Sequence, residues 1–253
     1  MTEIRDIEVV VFDVLGTMVD EPGGLRSAVR EATRVPDAAV ADELVALWQR
    51  HCEREQERVR QGLRPYVSTE VLDAEAARRV ADRAGVTDQV AIARLARAGR
   101  RLPPWGDAVA GLERLARDFP VIGLSNAGRR TLLHLNAYAG LRWHRALSAE
   151  AARAYKPAPE VYRLALDSAG CPPHRVLMVA AHAWDLRGAR AAGMRTAYAH
   201  RPGGDPPTDS DDFDGCFDEL GQLVAALTGG QAAADKSAGG EVTRREGGGA
   251  GRE

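Results

Sequence analysis

Short hydrophobic runs alternate along this chain with longer segments in which apolar positions recur every three to four residues. The first run, residues 7–13, is rich in β-branched side chains and ends in Asp13, a pattern typical of a buried strand that leads into a polar loop. Similar runs recur later, and helical periodicity separates them. The pattern predicts strands at 7–13, 121–124, 175–180 and 195–199, and helices at 107–118, 159–169 and 185–192.

Between residues 25 and 100 the chain has no convincing strand pattern. Its apolar positions follow helical spacing over 41–62 and 69–84, with breaks at Arg64-Pro65 and Gly85, where proline and glycine disfavour helix. This segment is therefore predicted to be a helical insert between the first strand and the second. The alternation of strands and helices elsewhere predicts an α/β fold with a doubly wound parallel sheet.

Composition indicates a globular protein that acts on small molecules. Its 34 basic and 36 acidic residues leave a net charge of -2, so no strong field attracts nucleic acid or an anionic membrane surface. No signal-peptide pattern is present, and no apolar run approaches the roughly 20 residues that span a bilayer. We therefore expect a cytoplasmic protein with a small-molecule substrate, no nucleic acid and no membrane.

Two features of the chain carry no predicted chemistry. Cys52, Cys171 and Cys216 are widely and irregularly spaced, which predicts free thiols rather than disulfides or a metal site. Residues 229–253 are rich in glycine, alanine and charge without apolar periodicity, which is typical of a disordered tail.

Polar residues recur where the predicted strands end or in the loops that follow. The carboxyl ends of parallel strands meet at one edge of a sheet, where ligands bind. Each such residue also has an ordinary structural role, for example as a helix N-cap, but their recurrence after separate strands favours a common site. These residues are Asp13, Thr17, Ser125, Asn126, Lys156 and Asp185.

In this order, these residues resemble the four motifs of the haloacid dehalogenase (HAD) superfamily. The resemblance covers about residues 7–200 and rests on Asp13-Val-Leu-Gly-Thr17, Ser125-Asn126, Lys156-Pro157 and Asp185. It implies that Asp13 is a nucleophile that forms a covalent ester with the substrate. It also implies a Rossmann-like core of residues 1–19 and 99–228, a small helical cap domain of residues 20–98, and a tail of residues 229–253.

The residue two positions after the nucleophile distinguishes branches of this superfamily. Phosphatases have a second acid there to protonate the leaving alcohol, whereas this chain has Leu15, which transfers no proton. Only Asp13 and Asp185 remain as ligands for the Mg²⁺ of phosphatases, and a hard cation requires more oxygens. Phosphonate-cleaving relatives use a cap lysine, and residues 20–98 contain none. A metal-independent enzyme without a cofactor is therefore expected.

The chain instead resembles the type II (S)-2-haloacid dehalogenases. Leu15 is apolar at the distinguishing position, and Tyr162 lies six residues after Lys156, as in that branch. There the nucleophile, here Asp13, attacks the α-carbon, halide leaves, and water then hydrolyses the ester to give a 2-hydroxy acid. Such a site combines a few cations and hydrogen-bond donors with an otherwise apolar pocket.

The same resemblance implies a role for each polar residue and for one tryptophan. Thr17 and Tyr162 would orient Asp13 and Lys156. Ser125 with Lys156 would hold the substrate carboxylate, and Asn126 would lie beside the halide. Asp185 would position or activate the hydrolytic water. Trp184 would form a wall of the pocket, although a core position describes it equally well.

Two positions depart from the dehalogenase pattern. The dehalogenases place an arginine that takes the halide directly after a cap tryptophan, but here Trp48 is followed by Gln49 and then Arg50. One residue turns a helical side chain by about 100°, so either Gln49 or, in a shifted register, Arg50 takes the halide position. His182 stands where the best-known members have a water-holding asparagine, and it is either a base for ester hydrolysis or a structural residue.

The expected activity is hydrolytic dehalogenation of short 2-haloalkanoic acids, of the (S) enantiomer by resemblance, through an ester on Asp13. Two alternatives stay open: a phosphatase that acts on an activated phosphate ester with Mg²⁺ at Asp13 and Asp185, and a catalytically silent binding member. Members of this family commonly pair, which makes a homodimer the expected assembly.

Overall fold

Six strands form one sheet at the centre of the molecule in a computed structural model, which describes residue 4 and residues 6–239. The strands are β1 (Val9–Asp13), β2 (Val121–Ser125), β3 (Arg145–Ser148), β4 (Val176–Ala180), β5 (Arg195–Ala199) and β6 (Gly215–Phe217). They lie in the order β3-β2-β1-β4-β5-β6, and every neighbouring pair is parallel. The predicted parallel α/β sheet is confirmed.

The three central strands are buried along their whole length. Every residue of β1, β2 and β4 is buried, as expected for parallel strands with both faces covered, and this explains their continuous apolar sequences. The predictions missed β3 and β6, which lie at the two edges of the sheet. Both are short, and β3 begins with the exposed Arg145 and Ala146, so neither has the apolar run that marks a buried strand.

Four helices occupy residues 21–95, where the sequence predicts a helical insert. They are α1 (Glu21–Thr33), α2 (Ala38–Arg60), α3 (Thr69–Ala84) and α4 (Gln89–Leu95). The Asp37 carboxylate accepts a hydrogen bond from the Ala39 amide at the start of α2, which satisfies a free backbone donor. The helices share an apolar cluster of their own that includes Leu25, Leu44, Trp48 and Val80.

Five further helices cover the two faces of the sheet. They are α5 (Ala108–Leu115), α6 (Arg129–Ala139), α7 (Pro159–Ala169), α8 (Ala183–Ala191) and α9 (Leu220–Gly239). Apolar residues of α5, α6 and α9 pack with one face of the sheet, and those of α7 and α8 pack with the other. Two separate apolar clusters result, and the sheet is therefore doubly wound, as predicted.

Hydrogen bonds fix the four-helix segment over the carboxyl ends of the strands. The Thr69 hydroxyl at the start of α3 accepts from the Gly128 amide at 2.7 Å, and the Tyr155 hydroxyl donates to the Val67 carbonyl at 2.6 Å. These contacts bring α2 and α3 against the loops that follow β2 and β3.

The last helix extends into the predicted tail. Because α9 continues to Gly239, residues 229–239 are helical and not disordered as predicted; residues 231–234 include three alanines, which have the highest helix propensity. Residues 240–253 of the predicted tail lie outside the described residues. No helix in the described part of the chain is long and apolar enough to cross a membrane.

Candidate active site

The polar residues predicted from the strand ends meet at one place. The chain leaves β1 towards β2 on one side, whereas β4 leads to β5 on the other. A crevice therefore opens between the carboxyl ends of β1 and β4, the usual ligand position in such sheets. Asp13 is the last residue of β1 and Asp185 lies in the first turn of α8, directly after β4.

Two donors hold the Asp13 carboxylate. The Thr17 hydroxyl donates to Oδ2 at 2.7 Å, and Lys156 Nζ donates to Oδ1 at 2.9 Å. Burial alone raises the pKa of Asp13, but the Lys156 ammonium, His182 and the Thr17 hydroxyl outweigh it and hold this pKa well below its ordinary value. Asp13 is therefore ionised at neutral pH, as a carboxylate nucleophile must be.

Lys156 bridges the two aspartates. Its ammonium is 1% exposed and also donates to Asp185 Oδ2 at 2.7 Å. The Tyr162 hydroxyl donates to the other Asp185 oxygen, Oδ1, at 2.7 Å. Burial lowers the pKa of Lys156, but the charges of Asp13 and Asp185 outweigh it and raise this pKa above its ordinary value, so the bridging amine stays charged.

The loop that carries Thr17 is fixed by residues that sequence reasoning missed. Trp105 Nε1 donates to the Gly16 carbonyl at 3.1 Å, and Arg201 Nε donates to the Thr17 carbonyl at 2.9 Å. Arg201 Nη1 in turn donates to Asp107 Oδ2 at 3.0 Å. These residues come from distant parts of the chain, and no motif of the sequence connects them with the strand ends.

Ser125 and Asn126, at the end of β2, have different environments. Asn126 lines the cavity beside Asp13, and its side-chain oxygen accepts from the Lys156 amide at 2.9 Å. Ser125 is fully buried, and its hydroxyl accepts from the Ala127 amide. Asn126 therefore orients the lysine loop from within the cavity, whereas Ser125, which was predicted to help hold the substrate carboxylate, does not line the cavity.

His182 lies beside the nucleophile. Its Nδ1 is 3.6 Å from Asp13 Oδ2, and its side chain is 20% exposed, on the cavity wall. The Trp184 ring packs 5.9 Å from the imidazole, measured between centroids, and lines the same cavity. Gly16, with φ +77°, makes room for the imidazole, because a Cβ there would lie 2.6 Å from His182 Cε1.

A cavity of about 890 Å³ connects these groups to the helical segment. It lies between the strand ends and helices α1, α2 and α3. Apolar side chains form much of its wall, and they are Leu15, Leu25, Trp48, Leu72, Leu102 and Trp184. Leu15, the apolar residue at the position that distinguishes the branches, therefore lines the same cavity as Asp13.

One face of α2 lines the cavity, and it shows whether Gln49 or Arg50 reaches the site. Gln49 belongs to this face, whereas Arg50 is exposed and lies along a separate surface groove with Leu47 and Arg79. Of the two alternatives, Gln49 therefore reaches the cavity and Arg50 does not, because the rotation of about 100° per residue directs the two side chains differently. The cavity face consists of Gln49, Cys52, Glu53, Gln56 and Arg60.

Two half-buried acids in the cavity, Glu21 and Asp73, were not predicted. Burial, helped by the negative charge of Asp13, raises the pKa of Glu21 to about 7. Burial and the charge of Glu21 raise the pKa of Asp73 well above its ordinary value. Both side chains line the cavity, and a neutral carboxyl group is a hydrogen-bond donor. Their chemistry follows from burial, which sequence spacing does not reveal.

The donor set offers little to a cation. Among residues 6–239, no group of three or more His, Cys, Asp or Glu side chains is arranged to hold a metal ion. Asp13 and Asp185, the two ligands that a phosphatase would use, are bridged by the Lys156 ammonium. That positive charge occupies the position between the carboxylates and neutralises the attraction a cation needs.

Comparison with known proteins agrees with this geometry. A family model described as haloacid dehalogenase-like hydrolase matches residues 7–193. The (S)-2-haloacid dehalogenase H-109 of Pseudomonas putida is 28% identical over 222 residues, which cover 86% of this chain and 92% of that protein.

Solved structures of 2-haloacid dehalogenases are also similar to this chain. The crystal structure of a defluorinating L-2-haloacid dehalogenase has a TM-score of 0.79 at 28% identity, and the match covers 88% of this chain and 95% of that one. An L-2-haloacid dehalogenase from Xanthobacter autotrophicus with chloropropionic acid covalently bound has a TM-score of 0.75 at 25% identity, covering 88% of this chain and 99% of that one.

Proposed function

Because the chain belongs to the haloacid dehalogenase-like hydrolase family, whose model matches residues 7–193, we propose that it hydrolyses the carbon–halogen bond of short 2-haloalkanoic acids. The observation that carries the proposal is an ionised Asp13 at the wall of a partly apolar cavity, held by Lys156 and Thr17. Relatives that are 2-haloacid dehalogenases support the reaction, and their named enantiomer supports (S) substrates.

In the first step, one carboxylate oxygen of Asp13 attacks the α-carbon and halide leaves with the bonding electron pair, which inverts that carbon. A lysine ammonium has three N–H donors, and Lys156 uses two of them on Asp13 and Asp185. The third is available to a substrate carboxylate at the cavity wall. Lys156 thus orients the substrate so that its α-carbon faces the nucleophile.

At the other end of the substrate, neutral donors take the departing halide. Gln49 lines the cavity where the resemblance expects an arginine, and Glu21 and Asp73 contribute carboxyl groups whose pKa burial raises, to about 7 for Glu21, so that each is a donor while it is protonated. Hydrogen bonds from neutral groups stabilise an anion less than those from a cation. We therefore expect slower halide departure than an arginine in this position would give.

In the second step, water attacks Cγ of the Asp13 ester and restores the carboxylate, with release of a 2-hydroxy acid. Residues 20–98 act as the cap in this proposal, because α1, α2 and α3 supply much of the cavity wall that separates the ester from solvent. The homodimer and the cytoplasmic location stay predictions.

Halide release from (S)-2-chloropropionate, monochloroacetate and fluoroacetate tests the proposal. We expect release by the wild-type protein without added metal, and a loss of more than about 10³-fold in Asp13→Asn, because no nucleophile remains. Mass spectrometry should detect the ester on the Asp13 peptide. No halide from any of these substrates, with the fold intact by circular dichroism, would contradict it.

The phosphatase alternative makes the opposite prediction. It requires Mg²⁺-dependent turnover of an aryl phosphate that Asp13→Asn abolishes. Leu15 supplies no proton to a leaving alcohol, and Lys156 bridges the two carboxylates a cation would share, so we expect no such turnover. A catalytically silent protein would give neither halide release nor an adduct on Asp13.

A further inference from the structure

Two side chains next to Asp13 are candidates to take a proton from the hydrolytic water. Both oxygens of Asp185 already accept hydrogen bonds from buried side chains. It is 0% exposed, Lys156 donates to its Oδ2 and Tyr162 donates to its Oδ1, each at 2.7 Å. Asp185 is also absent from the cavity wall. A water molecule in the cavity therefore reaches it only after a buried ion pair opens.

His182 has the opposite environment. It lines the cavity, and its Nδ1 lies 3.6 Å from Asp13 Oδ2. This nitrogen is buried and has no hydrogen-bond partner among the described residues. The imidazole is held from both sides by the close approach of Gly16 and by the Trp184 ring. Its orientation is thus fixed, with Nδ1 directed at the carboxylate of Asp13 that would carry the ester.

We propose that His182 is the general base for hydrolysis of the Asp13 ester, and that Asp185 only positions Lys156. This inference rests on the proposed function and names a residue for its second step. A histidine accepts a proton near neutral pH, and such proton transfer commonly accelerates a reaction by about 10² to 10⁴-fold.

Hydrolysis of the ester moves one proton from water to His182 and then to the leaving alkoxide. The water oxygen bonds to Asp13 Cγ while His182 takes one water proton. The tetrahedral intermediate then breaks its bond from Cγ to the substrate oxygen, and that alkoxide receives the proton from His182. The new hydroxyl on Cγ loses its proton to solvent, which restores the Asp13 carboxylate and releases the 2-hydroxy acid.

The charges around the imidazole favour this order of events. Asp13 on β1, Glu21 on α1, Asp185 on α8 and Asp205 in the loop after β5 surround it, with Lys156 on the far side of Asp13. Burial lowers the pKa of His182, but contact with Asp13 and the charges of Asp13, Glu21 and Asp185 outweigh it and raise this pKa. Esterification removes the charge of Asp13, so the imidazole loses its proton more easily when a base is needed.

His182→Ala and His182→Gln test the inference with (S)-2-chloropropionate as the probe. We expect each variant to release about one chloride per enzyme in a burst and then to turn over at least about 10²-fold more slowly than wild type. The propionate ester should accumulate on the Asp13 peptide. Added imidazole should restore turnover in His182→Ala, which has space for it, but not in His182→Gln. His174→Asn, an exposed histidine, is the matched control and should behave as wild type.

Several results would overturn the inference. Steady turnover near the wild-type rate in both His182 variants would do so, as would a slowed burst without ester. Accumulation of ester in Asp185→Asn, but not in the His182 variants, would assign the water to Asp185 instead. If wild type itself releases no halide, the proposed function fails and this inference fails with it; a defect confined to the His182 predictions leaves the proposed function intact.

Discussion

The Lys156 ammonium lies 2.7 Å from Asp185 Oδ2, with both side chains buried. The same ammonium is the only cation that contacts Asp13 Oδ1 among the described hydrogen bonds. Two buried carboxylates therefore share the same ammonium. The arrangement combines function and stability in one group, because Lys156 keeps Asp13 ionised for attack and also balances the charge of Asp185.

Removal of this lysine should destabilise the protein in a pH-dependent way. Lys156→Met leaves two buried carboxylates face to face, and loss of one partner from a buried pair costs about 3–5 kcal/mol. Without the ammonium the folded-state pKa values of Asp13 and Asp185 rise, so the folded state binds protons more tightly than the unfolded state. The penalty is then largest near pH 7.5 and shrinks as pH falls towards 4.5.

Urea denaturation of wild type and Lys156→Met across this pH range measures the effect. Arg163→Met, on the neighbouring helix α7 but at an exposed position, is the control and should show no comparable pH dependence. An equal penalty for Lys156→Met at pH 4.5 and 7.5 would show that lost packing, rather than unpaired charge, is responsible.

Substitutions at two neighbouring positions of α2 test which of them contacts the departing halide. Gln49→Arg places a guanidinium in the cavity, where a charge-assisted hydrogen bond of about 1.5–3 kcal/mol to the departing halide should raise the rate of chloride release about 10-fold or more. Arg50→Gln removes a cation outside the cavity and should change the rate less than about twofold.

Single-turnover chloride release by both variants, with (S)-2-chloropropionate, is the measurement. The rate of the first turnover reports halide departure separately from ester hydrolysis. A large loss in Arg50→Gln together with no gain in Gln49→Arg would show that the halide leaves towards a different part of the cavity wall.

The convergence of the site was predictable because parallel topology imposes it. Asp13, Asn126, Lys156 and Asp185 follow separate elements, and alternation of strands and helices directs such residues to one edge of the sheet. Their mutual contacts in the structure agree with that expectation. The central strands were predictable for a related reason, since complete burial leaves a continuous apolar run in the sequence.

Other features depend on tertiary contacts that periodicity does not encode. The rotation of α2, which directs Gln49 and not Arg50 into the cavity, is set by packing of Trp48 in the helical cluster. Trp105 and Arg201 support the nucleophile loop from distant segments. The acidity of a side chain such as Glu21 depends on how fully the fold buries it.

Close packing of His182 against the nucleophile loop predicts a strong effect of one methyl group. Gly16→Ala introduces a Cβ 2.6 Å from His182 Cε1 at φ +77°, whereas Gly85→Ala meets nothing within 4 Å at φ +69°. Both substitutions place an L-residue in a left-handed backbone conformation, which destabilises each variant by about 1–2 kcal/mol. Only Gly16→Ala should displace the imidazole, and we expect it to lower kcat at least about 10²-fold.

The comparison needs two measurements on each variant, the free energy of unfolding and kcat for halide release. Similar destabilisation with kcat lost only in Gly16→Ala supports the contact. If Gly16→Ala retains wild-type kcat, the loop accommodates the methyl group without moving His182, and the fixed orientation of the imidazole is not required.

Burial of Glu21 should make folding less favourable as pH rises. Its pKa is raised to about 7 in the folded protein, against about 4.3 for an ordinary glutamate. The folded state therefore binds the extra proton, and its contribution is fully present below about pH 4.3 and is lost as pH rises through about 7. Because the side chain retains some exposure to the cavity, we expect a loss of about 1–2 kcal/mol, below the full value of the shift.

Glu21→Gln keeps the shape and the hydrogen-bond donor but removes the titration. Relative to wild type, this variant should gain stability progressively between pH 5 and pH 8, as measured by the free energy of unfolding in urea at several pH values. Protonated His182 also contributes stability that is lost as pH rises above its ordinary pKa of 6.5, because its pKa is raised in the folded protein, in part by Glu21. Glu43→Gln, an exposed position on α2, is the control. A constant difference between Glu21→Gln and wild type across this range would show that Glu21 is already ionised in the folded cavity, and the neutral donor assigned to the halide would then be Gln49 with Asp73.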